Sequence, residues 1–303
     1  MTGWLEDRRD VLAFAGEDRK RFLHGMLSAD VLALSPGRGC WTCVLTPKGK
    51  LVSRFALYEL DDRLLAVCEA GAAPATAAAL GKALPLSRTK LLDETREWSA
   101  FHLLGPGARE AARAFSPGAS DEAFAIAPAR WAGAAGWSAS YPAVEPSQRL
   151  LLAPREHAGA WAEELARRFA RPALPGEALE ALRVEAGFAA GKDFDDAYPL
   201  ELGMEPALSF TKGCYMGQET AAMMKGRGHV NRRLAGLASD GPIPRGASVV
   251  RGGQECGRAG GGADSPALGR RLTLALLRTE DSQAGTRVEA GGVPAEVVAV
   301  PLG

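Results

Sequence analysis

The segment Lys212–Gly226 reads KGCYMGQETAAMMKG and places a single cysteine among glycines and polar side chains. Glycine adopts backbone conformations that other residues avoid, and Gly213 and Gly217 lie on either side of Cys214. We therefore expect the cysteine on a turn, and not inside a strand or a helix. This expectation raises the question of what the thiol does there.

A reactive thiol is one interpretation of Cys214. A helix is predicted to begin near Gln218, so the cysteine lies shortly before the positive end of that helix, and Lys212 is close in sequence. Both features favour the thiolate, which is the nucleophilic and metal-binding form of cysteine. The alternative is a glycine turn in which a small buried thiol fills space. The residues alone leave both interpretations open.

Size and composition indicate a globular protein of two or three domains. The chain has 303 residues, of which 47% are hydrophobic and 24% charged, and its formal net charge is zero. A neutral chain has no overall field that would attract DNA, RNA or an anionic membrane, so direct nucleic-acid binding is not expected.

The opening sequence MTGWLEDRRD carries charges of both signs, and no apolar run is long enough to span a bilayer. We expect a cytoplasmic protein without a membrane segment.

The remaining cysteines and glycines do not match familiar metal or nucleotide motifs. Cys40 and Cys43 form a C-x-x-C, but on a predicted strand residues three apart point to opposite faces, so packing is the expected role. Cys68 and Cys256 also lie in strand-like sequence, and we expect all five cysteines to be free thiols. The glycine cluster RGGQECGRAGGGAD lacks the context of a dinucleotide or phosphate loop, and we interpret it as turns of a β-domain. A G-x-S-x-G hydrolase motif is absent.

Alternating strand and helix patterns predict three parts. Residues 1–88 together with 172–228 form a discontinuous first part, and residues 89–171 form an α/β, ferredoxin-like subdomain with a strand–helix–strand order. From about Val230 short strands alternate with Gly- and Pro-rich turns. Residues 229–303 are therefore predicted to form a small β-barrel.

Two further segments contain candidate binding residues. The run KGRGHVNRR contains Arg227 and Arg232 and is either a solvated arm between domains or a clamp for an anionic group. Upstream, LRVEAG places Arg183 and Glu185 near the end of a helix. A buried carboxylate is a good acceptor for the adjacent N–H groups of a pterin ring, whereas an isolated glutamate is more often a surface or salt-bridged residue.

The whole pattern resembles the folate-binding superfamily of the glycine-cleavage T-protein, the aminomethyltransferase. The match runs in order through FLHGMLSADV, LTPKGKLVSRF, LRVEAG and YPLELG. Within that superfamily KGCYMGQE, followed by RG and NRRL, is similar to the YgfZ branch, whose signature is K-G-C-[FY]-x-G-Q-E. The residues that carry this signature are Lys212, Gly213, Cys214, Tyr215, Gly217, Gln218 and Glu219.

The resemblance implies an α+β fold of the T-protein type, with three parts in a ring, a C-terminal antiparallel β-barrel and a central tetrahydrofolate site. It also implies a role in assembly or maintenance of iron–sulfur clusters in enzymes such as the methylthiotransferases that modify tRNA. The expected partners are folate and iron–sulfur client or scaffold proteins. In this hypothesis Cys214 is the catalytic group and the folate-binding candidates are Arg183, Glu185, Lys212, Arg227 and Arg232. A stable cluster site takes four protein ligands, so no stably bound metal is expected and Cys214 would be at most a transient ligand.

One departure separates the chain from the enzymes of the superfamily. Aminomethyltransferases carry an aspartate pair just after the turn that matches PKGK, where this chain has Ser53 and Arg54. Neither side chain can do the acid–base work of methylene transfer at neutral pH. We therefore interpret Cys214 as the group that replaces the lost acid, and favour an accessory factor over an enzyme. The alternatives are a folate-dependent one-carbon transferase or demethylase that uses another base, and a folate-storing or sensing protein without chemistry.

Overall fold

A computed structural model describes residues 1–302 and divides the chain into two compact units. The first unit comprises Met1–Leu45, Val52–Gly176 and Pro206–Met216, and the second comprises Thr46–Leu51, Glu177–Glu205 and the chain from Gly217 onwards. The three-part division and the ring-like arrangement stay predictions. Across residues 1–302, each helix is too short or too polar to cross a bilayer.

The first unit contains ten strands and four helices. In chain order these are β1 (Gly3–Asp7), β2 (Arg9–Ala15), α1 (Arg19–Met26), β3 (Gly39–Leu45), β4 (Leu51–Glu59), β5 (Arg63–Glu69), α2 (Ala73–Gly81), β6 (Lys90–Asp93), β7 (Trp98–Leu104), α3 (Ala108–Phe115), β8 (Ile126–Trp131), β9 (Ala134–Ser140), β10 (Arg149–Pro154) and α4 (Ala158–Phe169).

These elements of the first unit form four layers. The strands make two five-stranded sheets, of order β3-β4-β5-β2-β6 and β1-β7-β10-β9-β8. Between the sheets lies a core to which Val11 and Tyr58 contribute from one sheet and Leu150 from the other. Helices α1 and α2 cover the outer face of the first sheet, and α3 and α4 cover that of the second, where Trp161 is fully buried. Each sheet thus buries both faces, as its nearly continuous apolar strands require.

The second unit is built around a closed barrel. It contains α5 (Gly176–Glu185), α6 (Gln218–Arg227), β11 (Arg232–Ser239), β12 (Ser248–Arg251), β13 (Gln254–Ser265), β14 (Arg270–Arg278), β15 (Arg287–Ala290) and β16 (Val293–Val298). The barrel order is β11-β14-β13-β12-β15-β16, and every neighbouring pair is antiparallel. Alternate residues such as Leu237, Leu277 and Val297 fill its interior. The predicted C-terminal antiparallel barrel is confirmed.

The interpretation of RGGQECGRAGGGAD as turns is wrong for most of its length, because residues from Gln254 onwards form the long strand β13. Its glycines are needed for space. A Cβ on Gly260 would lie 2.7 Å from the Phe194 ring, and one on Gly262 would lie 2.5 Å from the Thr273 hydroxyl. A strand made of glycines has no side-chain alternation, so its sequence does not show the period that identifies other strands.

Candidate functional site

The chain that leads to Cys214 is anchored to the loop after α1. The Ser28 hydroxyl donates to the Ala207 carbonyl at 2.6 Å, and the Ser28 carbonyl accepts from the Ser209 amide at 2.8 Å. The same hydroxyl accepts from the Cys43 amide of β3 at 2.8 Å. The Lys212 amide donates in turn to the Ser209 hydroxyl at 3.2 Å. A buried serine therefore fixes the start of the motif on the edge of the first sheet.

Lys212 points into the protein. Its ammonium group donates to the carbonyl oxygens of His24 and Leu27 at 2.5 Å and of Ala29 at 2.8 Å. These carbonyls lie in the last turn of α1 and just beyond it, where unsatisfied acceptors and the negative end of the helix dipole favour a cation. Burial lowers the pKa of Lys212 to about 8. All three ammonium hydrogens are thus used to hold the motif against α1.

Tyr215 is the second inward-facing residue of the motif. Its side chain is buried, and the Lys212 ammonium lies 4.7 Å from the centre of its ring, within cation–π distance. Burial, with a smaller effect of Cys43, raises the pKa of Tyr215 to about 12. Among the described residues its buried hydroxyl has no hydrogen-bond partner. The ring therefore contributes packing and not hydrogen bonding.

Cys214 lies between these two residues and is exposed. The interpretation of its thiol as buried filler is therefore wrong. The other four cysteines are buried or half-buried and free, as predicted. Burial raises the pKa of Cys40 and of Cys43 to about 12, which makes both poor nucleophiles at neutral pH. Cys214 is the one exposed thiol in residues 1–302.

The two glycines of the motif differ in their roles. Gly217 has a φ of 80°, in the left-handed region that favours glycine, and α6 begins at the next residue, Gln218, as predicted. Glu219 lies in the first turn of that helix, where an acidic group is favourable. Gly213 has no positive φ, and a Cβ there would contact nothing within 4 Å. The expectation that Gly213 is needed for the turn is wrong.

Arg183 is occupied by protein groups. Its guanidinium donates to both Glu180 carboxylate oxygens at 2.8 and 2.7 Å and to the Phe188 carbonyl at 2.6 Å. It also donates to Asp193 at 2.9 Å. The structure thus gives Arg183 a role in joining α5 to the chain that follows it. Its role in folate binding stays a prediction.

Asp193, which sequence reasoning missed, is the centre of a buried network. One of its oxygens accepts from Arg245 at 2.5 Å and from the Gly261 amide at 2.9 Å. The other accepts from Arg183 at 2.9 Å and from the Ala190 amide at 2.8 Å. The carboxylate is fully buried and has four donors. Arg183 and Ala190 are close to Asp193 in sequence, but Arg245 and Gly261 are 52 and 68 residues away, so the local pattern does not reveal the whole network.

One carboxylate oxygen of Glu185 has no hydrogen-bond partner within residues 1–302. The other oxygen accepts from the Ser265 hydroxyl at 2.6 Å and from the Ala267 amide at 3.0 Å. Ser265 is the last residue of β13, and Ala267 lies two residues beyond it. These bonds fix the orientation of the half-buried carboxylate. The free oxygen is a suitable acceptor for a ring N–H group, as the pterin hypothesis requires.

The two arginines selected from the basic arm have different surroundings. Arg232 makes a bidentate pair with the buried Glu201 at 2.9 and 2.8 Å and also donates to the Asp196 carbonyl at 2.9 Å. Arg227 is exposed, and no hydrogen-bond or ion-pair partner of its guanidinium lies within residues 1–302. Arg227 is therefore free to bind an anion, whereas Arg232 is held in place by Glu201. Glu201 lies in the YPLELG segment and could have been considered from that match.

Comparison with protein families identifies the superfamily. Residues 10–144 match the N-terminal domain of the glycine cleavage T-protein, and residues 232–302 match its C-terminal barrel domain. Together the two matches cover more than half of the chain, in the order in which that protein has them.

The chain belongs to the glycine cleavage T-protein superfamily.

Individual relatives include aminomethyltransferases and a protein named as tRNA-modifying. The aminomethyltransferase of Rubrobacter xylanophilus is 29% identical over 304 residues, which are 96% of this chain and 80% of that protein. The tRNA-modifying protein YgfZ of Photorhabdus laumondii is 27% identical over 242 residues, which are 77% of this chain and 70% of that protein. The crystal structure of aminomethyltransferase T from Bartonella henselae superposes with a TM-score of 0.85 at 21% identity. It covers 100% of this chain and 86% of that one, and it confirms the T-protein fold.

Ser53 and Arg54, which follow the PKGK turn, are both engaged with the protein. Ser53 is buried on β4 and accepts a hydrogen bond from the Thr76 hydroxyl of α2 at 2.8 Å. The side chain of Arg54 is 9% exposed and lies 3.7 Å from the Glu69 carboxylate and 5.5 Å from the Trp41 ring. Neither position offers a carboxylate for proton transfer. Within residues 1–302 no group of three histidine, cysteine or acidic side chains could hold a metal ion.

Proposed function

We propose that this protein is a cytoplasmic, folate-binding accessory factor that assembles or maintains iron–sulfur clusters in client enzymes, such as tRNA methylthiotransferases. The observation that carries the proposal is the exposed Cys214 thiol, held between the inward-facing Lys212 and Tyr215. A structural turn would not need an anchored residue on each side of the cysteine. The similarity to YgfZ supports the link to tRNA modification.

Glu185 and Arg227 fit a bound folate best. One oxygen of Glu185 is oriented by Ser265 and the other is available to ring N–H groups, while the Arg227 guanidinium is available to a glutamyl carboxylate. Arg183 and Arg232 would support the site through their bonds to other residues of the second unit. When bound, tetrahydrofolate supplies a reduced pterin that can carry a one-carbon unit.

The iron–sulfur cluster would be a cargo that Cys214 binds for a short time and then passes on. In this step the thiol loses its proton to solvent and the sulfur binds an iron atom that has lost a scaffold cysteine ligand. A cysteine of the client enzyme then displaces Cys214, which regains a proton, so no atom is oxidised or reduced. A single cysteine gives one of the four ligands that a stable cluster takes, so the cluster is released and not retained.

A one-carbon transferase is the second candidate function. It is favoured by the similarity to the Rubrobacter aminomethyltransferase over nearly the whole chain. Ser53 and Arg54 count against it, because neither can serve as the acid–base group at neutral pH. This candidate predicts turnover of a methylated amine with tetrahydrofolate and little effect of Cys214→Ala.

Complementation tests the proposal. A bacterial strain that lacks its own YgfZ-type gene would receive the wild-type protein, Cys214→Ala or the control Cys40→Ala, and the activity of a 4Fe–4S tRNA methylthiotransferase would be measured. We expect rescue by the wild type and by Cys40→Ala, and none by Cys214→Ala at equal protein level. Rescue by all three would contradict the role of the thiol, and rescue by none would contradict the accessory function.

A further inference from the structure

The second unit contains a cavity of about 510 Å³ that none of the preceding roles uses. It is lined by the chain after α5, the turn Pro199–Leu202, α6 and the start of β11. Its volume is typical of small-molecule sites, which combine apolar walls with a few polar groups. The apolar lining consists largely of Leu200, Leu202, Met224, Val230, Leu234 and Pro301.

The acidic residues in this lining are already neutralised. Glu201 pairs with Arg232 at 2.8 Å, and Glu205 pairs with Lys225 at 2.5 Å. Their carboxylates would otherwise repel an anionic ligand. The cavity therefore has apolar walls without an uncompensated negative charge.

Arg233 is a cation without a counter-charge in this lining. It is exposed, and no partner of its guanidinium lies within residues 1–302. Its neighbour Arg232 pairs with Glu201. Because successive residues of a strand point to opposite faces, the side chains of Arg232 and Arg233 lie on opposite faces of β11. Arg233 presents a planar set of donors that matches a carboxylate.

His229 adds a polar group with a defined tautomer. Its Nδ1 lies 3.1 Å from the Arg227 carbonyl, and because a carbonyl only accepts, Nδ1 carries the proton of the neutral ring. Nε2 is then an acceptor for a ligand N–H or hydroxyl. The lining thus offers one anion receptor and one acceptor beside apolar walls.

We propose that this cavity is a binding site for an aromatic carboxylate, with Arg233 as the receptor of the carboxylate and the aliphatic walls and Met224 against the ring. Thioether sulfur makes favourable contacts with aromatic rings, which suits Met224 to this position. The ligand is a free aromatic acid, distinct from the folate of the proposed function. The site itself does not depend on the iron–sulfur function.

Calorimetric titration of the full chain with indole-3-acetate and its uncharged methyl ester tests the site. We expect one binding site for the acid in the wild type and at least tenfold weaker binding to Arg233→Met, about the loss of one charged hydrogen bond. The ester should bind equally to both proteins. Arg258→Met is the matched control and should bind the acid as the wild type does. Arg258 is also exposed, has no partner of its guanidinium within residues 1–302, and lies outside this cavity.

A second variant tests the walls of the cavity. Met224→Glu places a carboxylate on the surface of α6, so it should remain folded and lose the acid by repulsion. Three results would each overturn the proposal. They are equal binding of the acid to wild type and Arg233→Met, equal affinity of the wild type for acid and ester, and unchanged binding of the acid to Met224→Glu. Displacement of indole-3-acetate by tetrahydrofolate would show that the cavity belongs to the folate site and would overturn the proposal. Simultaneous binding of both ligands would support a separate site for an aromatic acid.

Discussion

At the scale of single residues, Lys212 controls where its neighbours in the motif lie. Its ammonium is directed to three carbonyls around the end of α1, which turns the backbone so that Cys214 remains on the surface. The sequence also suggested that the charge of Lys212 favours the thiolate of Cys214, and this stays a prediction. The hydrogen bonds of its ammonium hold the backbone before Cys214 against the end of α1.

Replacement of Lys212 by methionine should destabilise the protein. The variant keeps much of the apolar stem and removes three charged hydrogen bonds, for an expected loss of roughly 2 to 4 kcal/mol in the free energy of unfolding. Urea denaturation measures this loss of unfolding free energy. Lys82→Met, at an exposed position of the same unit, is the control and should cost about 0.5 kcal/mol or less. Equal effects of the two variants would contradict the anchoring role.

The contribution of Lys212 should also depend on pH. Burial lowers its pKa in the folded protein to about 8 from an ordinary value of 10.5, so above pH 8 the unfolded chain holds more protons at this residue. Stability rises with pH wherever the unfolded state binds more protons. The difference in unfolding free energy between wild type and Lys212→Met should therefore grow from about pH 7 to about pH 9.5, below the range in which tyrosines titrate. A difference that stays constant or shrinks would show that burial does not depress this pKa.

At the scale of elements, the Asp193 network explains why the second unit tolerates a strand rich in glycine. Gly261 has no side chain, and its place is taken by the guanidinium groups of Arg183 and Arg245 and by the Asp193 carboxylate. The Gly261 amide donates to that carboxylate. Strand β13 is thus joined to the segment after α5 by a charged network in addition to the close packing of the Phe194 ring on Gly260.

Asp193→Asn tests this network against Asp195→Asn, a change at an exposed position two residues away. Asp193 compensates two arginines in a buried setting, and removal of one partner from such a network costs about 3 to 5 kcal/mol. The exposed Asp195 should contribute within about 0.5 kcal/mol of zero. Thermal and urea unfolding of both variants provide the comparison. Similar stability of the two would mean that the network is not needed to hold β13.

Sequence patterns predict most elements of this fold, and the exceptions have physical causes. Apolar segments such as DVLAFAG and RLLLAP are typical of buried strands and lie on β2 and β10, where their side chains pack on both faces of a sheet. Strand β13 is missed because glycines carry no period, and the short exposed β6 is missed because it has few apolar residues. At the site, the exposure of Cys214 follows from its polar, glycine-rich surroundings. The inward turn of Lys212 could not be predicted, because its acceptors lie more than 180 residues away in sequence.

At the scale of the whole molecule, chain segments distant in sequence contribute to each unit. Pro206–Met216 belongs to the first unit, whereas the residues immediately before and after it belong to the second. The chain therefore passes from one unit to the other at both ends of the segment that carries Cys214. A ligand that binds only the folded protein should stabilise this arrangement as a whole, and folate provides the test.

Tetrahydrofolate should raise the thermal midpoint of the wild-type protein. A ligand at 100 times its dissociation constant adds about 2.7 kcal/mol to the stability of the native state when it does not bind the unfolded chain. Glu185→Gln should remove most of this shift, because the free carboxylate oxygen is the proposed acceptor for the pterin. Glu177→Gln, at an exposed position on the same helix, should keep the shift, and so should Cys214→Ala, because the thiol acts on the cluster and not on folate. If tetrahydrofolate leaves the wild-type midpoint unchanged at any concentration, folate binding itself is contradicted. If Glu185→Gln keeps the full shift, folate binds and the pterin acceptor must be another residue.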